Sequence, residues 1–465
     1  MKYTILVNKE NKIKDKYLNN INLVTTKNVS DEDILIEEET YNNYLKLKEF
    51  INNELNIELA IDTAYRDINH QQEIYNHYIE IKGQNYCDKY VAVPNYSEHH
   101  TGLAIDIEIK VNGEFIYSDD NFELTEATLR KIHPYLHKFG FILRYPEGKE
   151  NVTGYNYEPW HIRYVGVIPA KIIYENKLTL EEYLTNFGCV LYIDKPKDIT
   201  SFDVVNKVSK LFGIKKVGHT GTLDPLATGV MLVCVGKATK IVELLTSEDK
   251  EYIAGVQLGI KTDTLDITGQ VLEEEEIPDN LNIKEVLNSF KKTYLQEVPK
   301  YSAIKVNGKK LYEYARKNIE IELPKKEVTI KEIELLEEQK NTFTFRSLVT
   351  KGCYIRSLIN DICTNLNTIG TMTSLIRTKQ GKISINNTNK LEDIENNNYR
   401  YYKIEEVLNY KVIEIEKELL HKISNGVKIP NKWNVKDKVI FTYNNKLLGI
   451  YQVNENELKV WKNFN

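Results

Sequence analysis

"VGHTGTLDPLATGV", residues 217–230, sets three glycines, three threonines and one proline around a single carboxylate, Asp224. A run this small-sided and this poor in charge makes a close-fitting loop with one ionisable group to offer. A phosphate cradle is the first candidate for such a loop, but it fails on detail. A P-loop needs GxxxxGK[ST], and here Gly229 is followed by Val230; the dinucleotide GxGxxG pattern is absent too. Two readings remain: a plain tight turn, or a loop that presents one acid to a substrate.

Two distant blocks favour the second. "DKEYIAGVQLGIKTDTLDITG" (249–269) holds Tyr252 and Asp266, and "KGCYIRSLINDI" (351–362) holds Tyr354 and Arg356. Together they supply an acid, aromatics and an arginine outside obvious core periodicity. An arginine beside Asp224 is expected to lower its pKa and fix its orientation. Glycosidases place two carboxylates at an anomeric carbon. A lone carboxylate with a stacking tyrosine suits instead the breaking of an N-glycosidic bond and re-bonding to the same base.

These blocks resemble the TruB family of tRNA pseudouridine synthases. So do "DKPKDITS" (194–201), "GKATK" (236–240), "QEVPKYSAIKVNGKKLYEYAR" (296–316) and "SLIRTKQG" (374–381). The resemblance runs from about residue 187 to 390 and more weakly to the end. It implies that Asp224 attacks or deprotonates the sugar of a T-arm uridine (position 55 of tRNA), without a cofactor. It also implies that Tyr252 stacks on the base and helps remove its C5 proton, and that Arg356 pairs with Asp224. His219 would enter the T loop in place of the extruded nucleotide. Asp266, Tyr354 and Leu375 would shape the uracil pocket, and Lys240, Lys305 and Arg316 would meet RNA. Asp198 stands where the family usually has glycine, and Cys353 where it has threonine.

Charge divides the chain. Residues 1–186 carry 20 Lys+Arg against 30 Asp+Glu, whereas 187–465 carry 42 against 37, and seven of nine histidines precede residue 162. Two chemistries share one chain. In the acidic part, "SEHHTGLAIDIE" (97–108) and "EPWHIRYVG" (158–166) hold His99, Asp106, Glu158 and His161. Two imidazoles and a carboxylate suit Zn²⁺ with an open position for water, and another carboxylate nearby suits a general base. His100 is as eligible as His99 on chemistry alone. Arg66, in "TAYRDINHQQEIY" (63–75), suits a substrate carboxylate or an oxyanion.

The pattern S-x-H-x-x-G-x-A-x-D followed by E-x-W-H-x-R-Y, with Arg66 and Gln71 upstream, resembles VanY-type D-alanyl-D-alanine carboxypeptidases over roughly residues 1–170. That resemblance implies His99, Asp106 and His161 as zinc ligands, Glu158 as general base and Arg66 as oxyanion and substrate stabiliser. The implied substrate is a D-alanine-terminated peptide or dipeptide. Two alternatives stay open: a non-catalytic binding module serving the synthase, or two genes joined artefactually.

Length and composition suit two or three domains of α+β type. The expected order is a small α+β zinc peptidase domain (1–186), a mixed, mostly antiparallel synthase sheet with helices (187–392) and a small β-rich RNA-binding domain (393–465). "NKLEDIENNNYRYYK" (389–403) suggests a linker. Five scattered cysteines without a CxxC suit reduced thiols. With no long apolar run and no export signal in "MKYTILVNKENKIKDKYLNN", no membrane segment is expected and the expected compartment is the cytoplasm. Oligomeric state is not legible.

Overall fold

The apolar alternation of "GLAIDIEIK" becomes the central strand Ala104–Val111 of an antiparallel sheet. Across that sheet the order is Leu59–Thr63, Ala104–Val111, His161–Tyr164, Phe141–Leu143, with Glu114–Ile116 hairpinned onto the central strand. The computed structural model describes residues 2–464 except Asn112, Asp119, Asp120 and Asn318. It divides into two units: Met1–Phe187 with Lys207–Lys216, and Gly188–Asn206 with Val217–Asn465.

In the first unit, helices Glu38–Leu55 and Phe122–Leu136 lay their apolar stripes on the sheet. Tyr44, Leu47 and Ile51 of one, and Leu129, Ile132 and Leu136 of the other, join Ile105, Ile107 and Ile162 in one buried cluster. Spacings of three and four residues keep each stripe on a single helix face. Glu37 caps the first helix, its Oε2 accepting from the Thr40 N–H at 2.9 Å. Two helices close the unit, Val167–Glu175 and Leu180–Asn186, separated where Lys177 turns to φ +51°. The second starts with a reciprocal capping box between Thr179 and Glu182.

The second unit is built on a nine-stranded sheet. Its spatial order is Thr293–Glu297, Lys325–Glu338, Thr342–Val349, Lys250–Leu258, Gly370–Gln380, Thr228–Gly236, Gly188–Lys195, with Ile383–Ser384 and Val217–His219 paired alongside. Its pairings are antiparallel apart from Thr228–Gly236 with Gly370–Gln380, a short parallel contact through Thr228↔Ile376 and Gly229↔Arg377. Gly229 makes that contact possible. It sits at φ +100°, and a Cβ there would lie 2.3 Å from the Arg377 carbonyl oxygen. We expect Gly229→Ala to cost about 3 kcal/mol, from left-handed strain plus overpacking, read as a lowered urea midpoint of the transition that unfolds this sheet.

Segment 389–403 is not a free linker. Leu391–Glu395 is helical with Leu391 and Ile394 buried, and Tyr402 bridges Val190 and stacks on Tyr192 at 4.0 Å. The Asn389 side chain bonds to the backbone of Tyr192 and Arg400, so a polar residue stitches the segment down. Asparagine-rich composition hid a few well-placed apolar side chains. Beyond it lies a five-stranded sheet ordered Lys411–Glu414, Lys438–Tyr443, Lys446–Asn454, Glu457–Asn463, Ile429–Pro430. Phe441, Tyr451 and Leu458 form its own core. Ile440, Ile450 and Phe464 instead join Val190 and Leu232, so this segment shares a core with the large sheet.

Candidate active sites

Sheet register builds the first site. Asp106 pairs across to His161 on one side and to Thr63 on the other. His99 comes from the short 3₁₀ turn Glu98–Thr101, whose start is capped by Ser97 and whose end is Gly102 at φ +68°. The candidate ligand atoms of His99, Asp106 and His161 all lie within 4.8 Å of one another.

Hydrogen bonding decides between the adjacent histidines. His100 spends both ring nitrogens on backbone: Nε2 accepts from the Asn95 N–H (3.0 Å) and Nδ1 donates to the Arg66 carbonyl (2.7 Å). It is a positioning group and no ligand. His99 donates from Nδ1 to the Ala64 carbonyl at 2.6 Å, which leaves the Nε2 lone pair 3.2 Å from Asp106 Oδ2. Burial, followed by the nearby Arg66, pushes the His99 pKa down to about 4, so Nε2 carries no proton at neutral pH. Two acceptors then confront each other in a buried site, an arrangement that a bound cation resolves. Buried His99 Nε2 has no hydrogen-bond partner among the described residues.

His161 behaves in the opposite way. Burial opposes its charge, but Asp106 at 2.8 Å from Nδ1, with Glu98 and Glu158 beyond, outweighs burial and raises its pKa to about 9. Glu158 Oε2 lies 3.9 Å from His161 Nδ1, and Arg66 Nη2 lies 3.9 Å from Asp106 Oδ2. A cavity over these groups is walled by Gln71, Tyr90, Tyr145 and Trp160. Gln71 donates to the Ala92 carbonyl, and its buried Oε1 has no hydrogen-bond partner among the described residues. His70 and His77 are exposed, and His133 bonds to the Pro159 carbonyl.

The second site is organised by Arg356, in the first turn of helix Ile355–Asn365. Its Nε donates to Asp224 Oδ2 at 3.0 Å, Nη1 to the Thr264 carbonyl at 2.9 Å and Nη2 to the Tyr301 carbonyl at 3.0 Å. One guanidinium thus joins the "LDPLATG" loop to two other segments. Asp266 stands 3.8 Å from the same guanidinium. Its Oδ1 already takes Thr264 Oγ1 and both the N–H and Oγ1 of Thr268, so it closes its own turn. The expected downward shift of Asp224 is not found. Burial raises its pKa above the ordinary 3.8, and Asp266 adds to that, against the opposing pull of Arg356 and Lys195.

Tyr252 and Leu375 are buried cross-strand neighbours of Arg377 and Ala254 in the large sheet. Tyr354 lies within the field of both Arg356 and Asp224, and burial raises its phenol pKa. His219 ends strand Val217–His219, half-buried, its Nδ1 accepting from the Gly221 N–H. Lys305 belongs to a two-residue hairpin, and Arg316 lies 5.3 Å over the Tyr312 ring. The Lys240 ammonium is turned onto the Asn463 carbonyl and the Phe464 ring.

Lys195 and Asp198, given no role from sequence, buttress the Asp224 loop. Buried Lys195 donates to the carbonyls of Pro196 (2.8 Å), Ile199 (2.7 Å) and Pro225 (3.4 Å). The Asp198 N–H also reaches the Pro225 carbonyl at 2.8 Å. Asp198 sits at φ +69°, a left-handed geometry that glycine adopts without strain. We expect Asp198→Gly to raise stability by about 0.5–1 kcal/mol, measured as a higher unfolding midpoint.

Comparison with known proteins finds two families along the chain. Residues 209–355 match the model of the TruB family pseudouridylate synthase (N terminal domain), and residues 33–167 match that of D-alanyl-D-alanine carboxypeptidase. A tRNA pseudouridine synthase B of Clostridium tetani is 44% identical over 268 residues, 57% of this chain and 91% of that protein. One from Fusobacterium nucleatum is 46% identical over 279 residues, 58% of this chain and 96% of its own length. Among solved structures, a vancomycin-resistance D,D-pentapeptidase VanY in complex with Zn(II) is 30% identical. It aligns with 40% of this chain and 100% of its own, at a TM-score of 0.35. Among the described residues, no helix is long and apolar enough to cross a membrane.

Proposed function

The chain belongs to the TruB family of pseudouridine synthases through its C-terminal part, and from that premise we propose that it converts the T-arm uridine at position 55 of tRNA to pseudouridine. The observation that carries this is Asp224 held at 3.0 Å by Arg356, which is itself anchored on two backbone carbonyls. Arg356 orients the carboxylate and favours its ionised form. Asp224 attacks or deprotonates the sugar, the uracil detaches and turns, and C5 bonds to the sugar in place of N1. Tyr252 stacks on the base and helps take the C5 proton, while Tyr354, Asp266 and Leu375 bound the pocket. His219 fills the place of the extruded nucleotide, and Lys305 and Arg316 meet the RNA, whereas Lys240, bonded to the Asn463 carbonyl, acts by holding the C-terminal segment. Segment 393–465 serves as the accessory RNA-binding domain, and no cofactor is required. Mapping pseudouridine in tRNA from cells lacking the protein tests this reading; an unmodified T arm is expected.

The N-terminal unit is a zinc-dependent D,D-carboxypeptidase acting on a D-alanine-terminated peptide or dipeptide. The carrying observation is the His99 lone pair facing Asp106 at 3.2 Å beside His161. His99, Asp106 and His161 would hold the ion, which when bound would acidify a water molecule and polarise the scissile carbonyl. Glu158 takes the proton of the attacking water, and Arg66 hydrogen-bonds the substrate carboxylate or the developing oxyanion. Every group this chemistry needs is present within one cavity, which favours an enzyme over a binding module. Zinc content and D-alanine release decide between those two. The working compartment is the cytoplasm, where tRNA is met.

A further inference from the structure

Glu98 is a charge buried in the N-terminal unit, its side chain fully closed to solvent. Its Oε1 accepts from Arg144 Nε at 2.8 Å and from Arg163 Nη1 at 2.6 Å. Both guanidiniums are anchored elsewhere. Arg144 forks onto Glu181 at 3.0 and 2.7 Å, and Arg163 Nη2 donates to the carbonyls of Tyr3 and Ile5. The carboxylate is therefore held from one side, through one oxygen.

Its second oxygen is left over. Among the described residues, Glu98 Oε2 is buried without a hydrogen-bond partner, and so is His161 Nε2. These two atoms face each other at 3.8 Å. A purely structural role, neutralising Arg144 and Arg163, accounts for Oε1. It gives no reason for Oε2 to be turned toward the imidazole edge that points away from Asp106.

The chemistry of imidazole supplies one. His161 presents Nδ1 to the side shared with Asp106 and His99. A neutral ring that offers its Nδ1 lone pair must carry its proton on Nε2. The group facing that proton is Glu98. We propose that Glu98 is the positioning residue of His161: when the ring offers its Nδ1 lone pair to the metal, the 3.8 Å gap closes and Glu98 accepts the Nε2–H hydrogen bond, which fixes the tautomer and ring plane and strengthens Nδ1 as a donor. This rests on the reading of His99, Asp106 and His161 as a zinc site. Arg144 and Arg163 enter as the groups that aim the carboxylate.

The test uses the full chain with Zn²⁺ in competition against a chelator, comparing wild type, Glu98→Gln and Glu181→Gln. Glu181→Gln disturbs Arg144 but leaves the Glu98–His161 pair, so it controls for the arginine network. Expected is a zinc affinity about 10–100-fold weaker for Glu98→Gln, with Glu181→Gln within about twofold of wild type. Nitrogen-15 spectra of the zinc-loaded wild type should show the His161 proton on Nε2 and slow to exchange, and faster exchange in Glu98→Gln. Equal zinc affinity in wild type and Glu98→Gln, or a His161 proton on Nδ1 in the zinc-loaded wild type, overturns the proposal. The wild-type spectrum decides even if the variant fails to fold. A wild type that takes up no zinc at all overturns the metal-site reading itself, and is thereby told apart from a failure of Glu98 alone.

Discussion

Asp224→Asn should abolish pseudouridine formation in a T-arm transcript, by more than about a thousandfold, while RNA affinity changes little. Asparagine keeps the shape of the side chain and an oxygen for Arg356 Nε. The guanidinium stays in place because the carbonyls of Thr264 and Tyr301 hold it independently. What disappears is the negative charge that must react with or deprotonate the sugar. The raised pKa of Asp224 adds a directional expectation. A carboxyl whose pKa lies above its ordinary value is protonated already at a higher pH. The acid limb of kcat/KM should therefore fall above the usual aspartate range. An Asp224→Asn variant that still converts the uridine would show that another group does the chemistry.

His161→Ala should empty the N-terminal site and stop D-alanine release while leaving pseudouridine formation intact. It removes a whole ligand, so the loss of zinc affinity should exceed the roughly 10–100-fold expected for an outer hydrogen bond. Metal analysis of the purified variant reads the first effect, and a peptide assay reads the second. Chelator treatment of wild type should reproduce the loss of hydrolysis, and added Zn²⁺ should restore it. A variant that retains one zinc per chain would remove His161 from the ligand set.

The sequence made legible those groups whose chemistry repeats in short blocks. The ligand candidates His99, Asp106 and His161 stood out because "SEHHTGLAIDIE" and "EPWHIRYVG" pair imidazoles with acids. On chemistry alone the choice between His99 and His100 was not legible, because it depends on which backbone groups each ring meets; only the resemblance to VanY-type carboxypeptidases singled out His99. Glu98 was missed altogether. Its signal was present in "FILRYP" and "WHIRYVG", where Arg144 and Arg163 interrupt mostly apolar and aromatic runs and so demand a buried counter-charge.

In the second unit the Asp224–Arg356 pair was anticipated, but its electrostatic balance was not. Pairing alone suggested a depressed carboxyl, whereas burial in the folded loop tips it upward. Burial is a property of the assembled site and no short motif carries it. The same holds for Asp198. Its departure from glycine was visible, but not that the turn needs φ +69° and leans on Pro225. Segment 389–403 failed for a different reason: composition averages over the few residues, Leu391, Ile394 and Tyr402, that decide its packing.

If one chain carries two separable active sites, each must fail without loss of the other. The most direct test assays wild type, Asp224→Asn and His161→Ala as full-length protein, for pseudouridine in a T-arm transcript and for D-alanine released from a short D-alanine-terminated peptide. Both activities are expected in wild type, hydrolysis alone in Asp224→Asn and isomerisation alone in His161→Ala. A wild-type chain that isomerises uridine but releases no D-alanine, with or without added Zn²⁺, would contradict the presence of two active sites.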